Sequence, residues 1–421
     1  MLPLLMPRRR SFLAGVTASL LPLPAIAAGK QATATIAMVT TSQGNGSEFL
    51  YMKRERLFEK YAAQFGYELQ TRYLNFQTGP QITEGMVKGD IDFGIAGYLP
   101  MATIMASGLP ILPVSNIEGS AHWIMVRPGS PIRSIEDLVK NKAKIATAVG
   151  STSQYVLLEF FRVYFDKSPE ELGVTVIHMP PSDGITFPQG IDAILYWEAL
   201  PSLAEERVGA VRLVNEYGQT GPGYEGGAGQ DLFQKQPEIW GKSLYAPESL
   251  VAYRVFATAR KDLAEKNPEL VTAFLLAQQE AVTVLHKDFK LAYELNKEAW
   301  PLPFDKVAAF LRLNVVFGRR DWIWITEGDL KSTVWGSYWG YDKKLLRRPV
   351  TWDIAESYLK PTISPVTEAY KHANSYPVIS EMMRPAAAGD KPAPDLRGYP
   401  VWMLEKWTKP LPATLSSYVT K

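Results

Sequence analysis

The sequence predicts an α/β protein of two doubly wound lobes with a helical C-terminal extension. Three observations carry this. Strand and helix signals alternate through the first half of the chain, as parallel α/β architecture requires. The alternation runs twice, on either side of a proline-rich passage. From Lys290 onward the chain turns helical and aromatic, with Trp300, Trp322, Trp324, Trp335 and Trp339 read as core rather than as a cofactor box.

In order, Thr33 to Val39 is rich in strand formers, and Ser47 opens a helix in which Leu50, Leu57 and Tyr61 keep helical spacing until Gly66. Tyr67 to Leu74 is the second strand. Gly79-Pro80 starts a short helix with Ile82, Met86 and Val87 on one face and Gly89 at its stop. Ile91 to Gly97 is the third strand, completing one βαβαβ unit. The run SAHWIMVRPGSPI (Ser120 to Ile132) reads as a strand leaving this lobe. The second unit takes a capped helix start at Ser134, a strand over Lys144 to Ala148 and a helix over Ser153 to Phe165. Ser168-Pro169-Glu170-Glu171 is a capping box, and strands follow at Val174 to Met179 and Ile191 to Trp197. Six glycines between Gly218 and Gly229 make Glu216 to Lys242 either a long surface loop or a lid or hinge. Leu250 to Ala257 is a further strand, and Asn267-Pro268-Glu269 caps a long helix to about His286. After Pro385 a proline-rich tail is expected to wrap the surface. Lobe 1 is accordingly placed at 28–127 and 215–421, including the glycine-rich insertion 216–242 and an extension from about 290, and lobe 2 at 128–214.

Residues 1–27 are set apart as a signal peptide. Arg8-Arg9-Arg10 precedes an apolar run and an A-x-A site at Ala25-Ile26-Ala27, and R-R-x-F-L is the twin-arginine form, so export of the folded protein to the periplasm is expected. The run is too short and proline-broken to span a bilayer. With 421 residues, 46% hydrophobic and 21% charged, the composition is that of an ordinary globular chain. Beyond the signal segment, 42 basic residues face 43 acidic ones, which leaves no footprint for nucleic acid. The chain has no cysteine, so disulfides, thiol catalysis and cysteine metal sites fall away together. Its four histidines lie far apart, with no H-E-x-x-H, and no G-x-S-x-G elbow occurs. Neither a metal, a cofactor nor catalysis is expected.

The stretch AVGSTSQYVLLEFF (Ala148 to Phe161) holds a glycine and three hydroxyl residues between strand and helix. Helix N-termini bind anions, but a nucleotide loop needs a second glycine and a lysine that this stretch lacks. Ser151, Thr152 and Ser153 therefore either cap the helix or hold a small polar or anionic group.

The ordered runs TTSQGNGSEF, GDIDFGIAGY, SPIRSIEDL, KIATAVGSTS, IDAILYWEALP and NPELVTAFLLAQQEA together resemble periplasmic substrate-binding proteins of the nitrate/sulfonate/taurine ABC-importer family, a match that covers roughly Thr33 to Ala281. The resemblance implies periplasmic binding protein type 2 architecture, two doubly wound lobes joined by a hinge with a solute trapped between them. It places Ser42 and Gln43 in the first loop of one lobe, Tyr98 at a pocket position and Ser120 to His122 at the crossover. Gly150 to Ser153 then line the cleft wall, and Trp197-Glu198 are a tryptophan-acid pair after the last strand of lobe two. Each retains a second reading: a turn at Gln43, core for Trp197, a hinge cation as partner for Glu198, and a structural hydrogen bond for His122. The pair is usually followed directly by proline, whereas Glu198-Ala199-Leu200-Pro201 stands here.

The pocket positions so placed include no lysine or arginine, so an anion would be held by neutral N–H and O–H donors, which suits a sulfonate or carboxylate. Tyr98 and Trp197 would offer apolar faces to an organic body, and Glu198, if inward, a site for an amine. The family mechanism is hinge closure around the solute and docking of a monomer on a membrane permease, with the ATPase elsewhere. A sensor or receptor subunit of another transporter type is the alternative. An enzyme is a further one, since thiamine-pyrimidine synthases share the lobes but carry a cysteine-rich motif absent here.

Overall fold

The computed structural model describes residues 29–375 apart from residues 42, 118–120, 244–245, 247–248, 252–254, 318–322 and 326, and leaves some helical side chains, Gln43 among them, undescribed. Residues 1–27, expected to be a signal peptide, and the tail after Pro385 lie outside the described residues. The strands are β1 (Lys30–Met38), β2 (Tyr67–Asn75), β3 (Phe93–Gly97), β4 (Ile111–Ile117), β5 (His122–Val126), β6 (Lys144–Thr147), β7 (Thr175–His178), β8 (Ala193–Trp197), β9 (Val211–Asn215) and β10 (Val255–Arg260).

They form two five-stranded sheets, ordered β2-β1-β3-β10-β4 and β7-β6-β8-β5-β9. In each sheet the first three strands of the lobe run parallel, and one antiparallel strand borrowed from the crossover, β10 or β5, lies between the third and the last. The two lobes thus share one layout, and the chain passes between them twice, from β4 to β5 and from β9 back to β10.

The lobe boundaries differ from those read in the sequence. β5 pairs with β8 and β9, so the second lobe begins near His122 rather than at residue 128. The glycine-rich segment also belongs to it: Gly221 N–H donates to Leu213 O and Gly223 N–H to Arg212 O, each at 2.9 Å. The buried Trp240 indole then packs on Phe160 and Phe233. Burial on both faces gives HWIMV the same appearance in either sheet, and only its partners assign it.

The helix expected from Ser47 to Gly66 is two, Gln43–Arg54 and Leu57–Gln64, broken where Arg56 takes a left-handed conformation (φ 50°). A helix that periodicity missed, Tyr98–Ser107, follows β3; most of its residues are buried, so it has no polar face to reveal it. The capping box at Ser168 is real, with Ser168 and Glu171 exchanging backbone-to-side-chain hydrogen bonds of 2.7 and 3.3 Å, but it caps only the short turn Glu170–Leu172.

The first lobe's core centres on helix Pro268–Lys287, whose Phe274 stacks on Phe93 at 4.4 Å while Phe58 meets both rings edge-on. Trp300 and Trp324 of the extension are fully buried, as core tryptophans should be. Trp322 and the side chains of Trp335 and Trp339 are not among the described ones. Helix Glu327–Asp342 of the extension lies on helix Tyr98–Ser107, and Leu346 joins the apolar cluster that holds Tyr98 with the second lobe's Tyr155 and Phe160.

Candidate functional site

Ligands of doubly wound sheets bind beyond the carboxyl ends of the parallel strands, because the helix N-termini that follow those ends converge there. The two sheets point these ends at each other. The cleft between them is partly open to solvent and has a cavity volume of about 50 Å³. The first lobe supplies Val39, Gly79, Ile95, Gly97, Pro100 and Val255, and the second His122, Ser151, Thr152 and Trp197. Three helices begin at its wall, Gly79–Lys88, Tyr98–Ser107 and Thr152–Phe165, so three positive dipole ends share one space.

Four residues expected from the sequence are therefore brought together: His122, Ser151, Thr152 and Trp197. Their chemistry is not equal. Ser151 is the N-cap of helix Thr152–Phe165, accepting from Ser153 N–H at 3.2 Å and donating to Ala148 O at 2.5 Å, so its hydroxyl is engaged by its own turn. Thr152 stands at the first helical position, its side chain facing Gly97 of the other lobe. His122 and Trp197 are opposed across the β5–β8 ladder. The two oxygens of Glu216 accept His122 N–H at 2.7 and 3.0 Å, and one lies 3.0 Å from Nδ1. An ionised carboxylate only accepts, so this contact sets the Nδ1-protonated form of the ring.

The other expected residues part company. Tyr98 is 1% exposed and lies behind the cavity, its ring 4.9 Å from Tyr155 and its hydroxyl against Gly336, so its face is not offered to the cleft. Ser153 is buried on the helix side of its turn and does not line the cavity. Glu198, also 1% exposed, turns away to Arg212, with contacts of 2.9 and 3.2 Å, and bonds the Ser202 hydroxyl. Glu198 thus pairs with a cation, but with one in strand β9 of its own lobe, and the site for an amine loses its carboxylate. Burial works against the Arg212 charge, but Glu198 and Glu205 outweigh it and raise the guanidinium above its ordinary value. Ser42, Ser120 and the side chain of Gln43 lie outside the described residues.

Sequence reasoning passed over Glu216 and Arg212, whose partners lie 94 and 14 residues away, and the wall residues Val39, Gly79, Ile95, Gly97, Pro100 and Val255. The last group had a signal, since Val39, Gly97 and Val255 sit at strand ends and Gly79 and Pro100 in the first turns of helices. Among the described residues no lysine, arginine or free carboxylate lines the cavity, no group of three or more acids and histidines could hold a metal ion, and no helix is long and apolar enough to cross a membrane.

The lobes touch across the cleft. Ala199 N–H donates to Thr41 O at 3.3 Å, and the Ser182 hydroxyl contacts Gln77 Oε1 at 3.1 Å. Gly97 makes the tightest approach: a Cβ built there would lie 2.5 Å from Thr152 Oγ1. Its φ of −65° suits any residue, so alanine would strain this contact and not the backbone. Gly97→Ala is expected to cost the closed form about 1–3 kcal/mol, the range for overpacking. At 1.4 kcal/mol per decade, that weakens solute binding roughly 5- to 150-fold. Calorimetry on Gly97→Ala, Thr152→Ala and the double variant checks it: in the Thr152→Ala background the alanine at 97 should have little further effect.

A relative from Escherichia coli (strain K12) named as an aliphatic sulfonates-binding protein is 26% identical over 248 residues, covering 58% of this chain and 66% of the relative. One of the same name from Bacillus subtilis (strain 168) is 27% identical over 240 residues, 56% of this chain and 61% of the relative. The chain thus spans just under two thirds of the length of these relatives. Among solved structures, the alkanesulfonate-binding protein SsuA from Xanthomonas axonopodis pv. citri, bound to MOPS, superposes with a TM-score of 0.56 at 20% identity over 76% of this chain and 96% of that one. The periplasmic nitrate-binding protein NrtA from Synechocystis PCC 6803 gives 0.55 at 13% identity over 82% and 89%. At such identities these likenesses speak for the fold. A family model matches residues 59–284, more than half of the chain, and the chain belongs to that family, the substrate binding domains of the ABC-type glycine betaine transport system.

Proposed function

We propose that this protein is the periplasmic solute-binding component of an ABC importer, exported through the twin-arginine pathway, which captures a small organic anion of the sulfonate class and hands it to a membrane permease. The observation that carries the reading is the cavity itself, where three helix N-termini and the strand ends of two like sheets meet at a joint between lobes that the chain crosses twice. A solute touching both walls favours the closed arrangement by its differential contacts, and closure presents a distinct surface to a permease. Nothing in this sequence of events needs a covalent step, so binding rather than catalysis is the activity proposed.

The solute class follows from what the walls offer. Helix N-termini attract a single negative charge through backbone N–H groups, while the absence of lysine and arginine from the described lining disfavours polyanions. The apolar walls, Val39, Ile95, Pro100 and Val255, suit an organic body. A quaternary ammonium, as in glycine betaine, calls for several aromatic faces. Here Trp197 is the indole of the lining, and Glu198 and Glu216 are turned to Arg212 and His122. The sulfonate names of the relatives agree with this balance.

Thermal unfolding of the purified protein against alkanesulfonates, taurine, MOPS, nitrate and glycine betaine tests the proposal. A ligand at 100 times its Kd stabilises the native state by about 2.7 kcal/mol, which a melting curve resolves. A sulfonate raising the midpoint is the expected result; a midpoint raised by glycine betaine and by none of the sulfonates would overturn the solute class.

A further inference from the structure

The polar groups around the cavity are mostly engaged elsewhere: the Ser151 hydroxyl in its cap, Glu216 on His122, and Glu198 on Arg212. Trp197 is not engaged in this way. Its side chain is 7% exposed and lines the cavity, and its Nε1 is buried with no hydrogen-bond partner among the described residues. An indole N–H can only donate, and a buried one ordinarily finds an acceptor. The nearby carboxylates that could have served are turned to cations or to the imidazole.

The position of the ring is set by the chain around it. Trp197 is the last residue of β8, with His122 as its cross-strand neighbour. Immediately after it, Glu198 N–H donates to Ala121 O at 2.9 Å, its carboxylate is clamped by Arg212, and Ala199 N–H reaches Thr41 O of the opposite lobe. Tyr196, on the other face of the strand, meets the indole edge-on at 6.3 Å. A donor held this firmly is preorganised, so little ordering remains to be done when an acceptor arrives. The Trp197 side chain lines the same space as the N-termini of helices Gly79–Lys88, Tyr98–Ser107 and Thr152–Phe165, where negative charge is favoured, and its unpartnered Nε1 is buried at that wall.

We propose that Trp197 recognises the solute by donating its indole N–H to an oxygen of the anionic head group, rather than by stacking on the organic body, and that it is thereby a determinant of specificity for oxyanion-headed solutes. The inference rests on the solute-binding reading above and deepens it by naming the contact. It assigns the indole edge the role that the sequence gave to its face.

Trp197→Phe keeps an aromatic ring and removes the donor. Calorimetry with ethanesulfonate and MOPS on the wild type and on this variant is expected to show affinity reduced tenfold or more, with the unfolding midpoint of the ligand-free protein little changed. Equal affinity, within threefold, would overturn the donor role while leaving the solute-binding reading intact. Absence of any sulfonate binding by the wild type would overturn both. Should the variant not fold, the wild type decides: in ¹⁵N-labelled protein, saturating ethanesulfonate should move one indole N–H proton downfield, and a spectrum in which none moves overturns the proposal.

Discussion

Replacing Arg212 by methionine is expected to destabilise the protein by about 3–5 kcal/mol, the range for removing one partner of a buried ion pair. The guanidinium holds Glu198 through two contacts and Glu205 through two more at 3.0 Å, donates to the Ser202 hydroxyl at 2.8 Å, and lies 4.8 Å from the centre of the Trp123 ring. Without it, Glu198 would be left almost fully buried with the Ser202 hydroxyl as its remaining side-chain partner, and an uncompensated carboxylate there is costly. The double variant Arg212→Met, Glu198→Gln removes the stranded charge and should recover most of the loss. Denaturant unfolding of the single and double variants measures this directly. A single variant as stable as the wild type would mean that the pair does not hold the turn. Because this turn follows Trp197, the single variant should also bind solute more weakly than its stability alone would explain.

Gly336→Ala is expected to cost about 3 kcal/mol or more, at or beyond the usual overpacking range. A Cβ at this position would fall 1.3 Å from Tyr98 Oη and 2.4 Å from Cζ, so the phenol already fills the space beside the glycine. Neither side can yield cheaply, since Tyr98 is buried against Tyr155 and interiors packed at crystal density have no room to absorb a methyl group. The cost should appear as a lowered unfolding midpoint and as earlier proteolysis within the C-terminal helices, because helix Glu327–Asp342 is the element displaced. Adding Tyr98→Ala should relieve the clash while leaving a cavity, so the double variant is expected to lie between Gly336→Ala and the wild type. Equal midpoints for Gly336→Ala and the wild type would show that the extension is not seated on Tyr98.

Much of the fold was legible because it is local. The strands at Thr33, Tyr67 and Lys144, the glycine stop at Gly89 and the capping box at Ser168 depend on side-chain alternation, conformational freedom and short-range hydrogen bonds that adjacent residues carry in full. Helix Tyr98–Ser107 was not legible, since a segment buried on all sides loses the period by which helices are recognised. The lobe assignment of His122–Val126 was hidden for a related reason: its register partners, Trp197 and Asn215 among them, lie far along the chain. At the site, the sequence found the strand-to-helix loop that carries Ser151 and Thr152 and the strand end that carries Trp197. It could not say that the Ser151 hydroxyl turns back on its own helix, that Tyr98 faces Gly336, or that Glu198 belongs to Arg212.

The amino-acid sequence by itself determined two doubly wound lobes, a helical and tryptophan-rich extension, and the absence of cysteine chemistry, because patterning and composition are properties of neighbouring residues. Tertiary structure alone decided which of the candidate residues share the cleft, which lobe holds the glycine-rich segment, and which carboxylates are spent on internal partners. Those outcomes depend on the direction of individual side chains and on contacts between distant segments, and a hydrogen bond or ion pair that forms only on folding leaves no periodic trace in the chain.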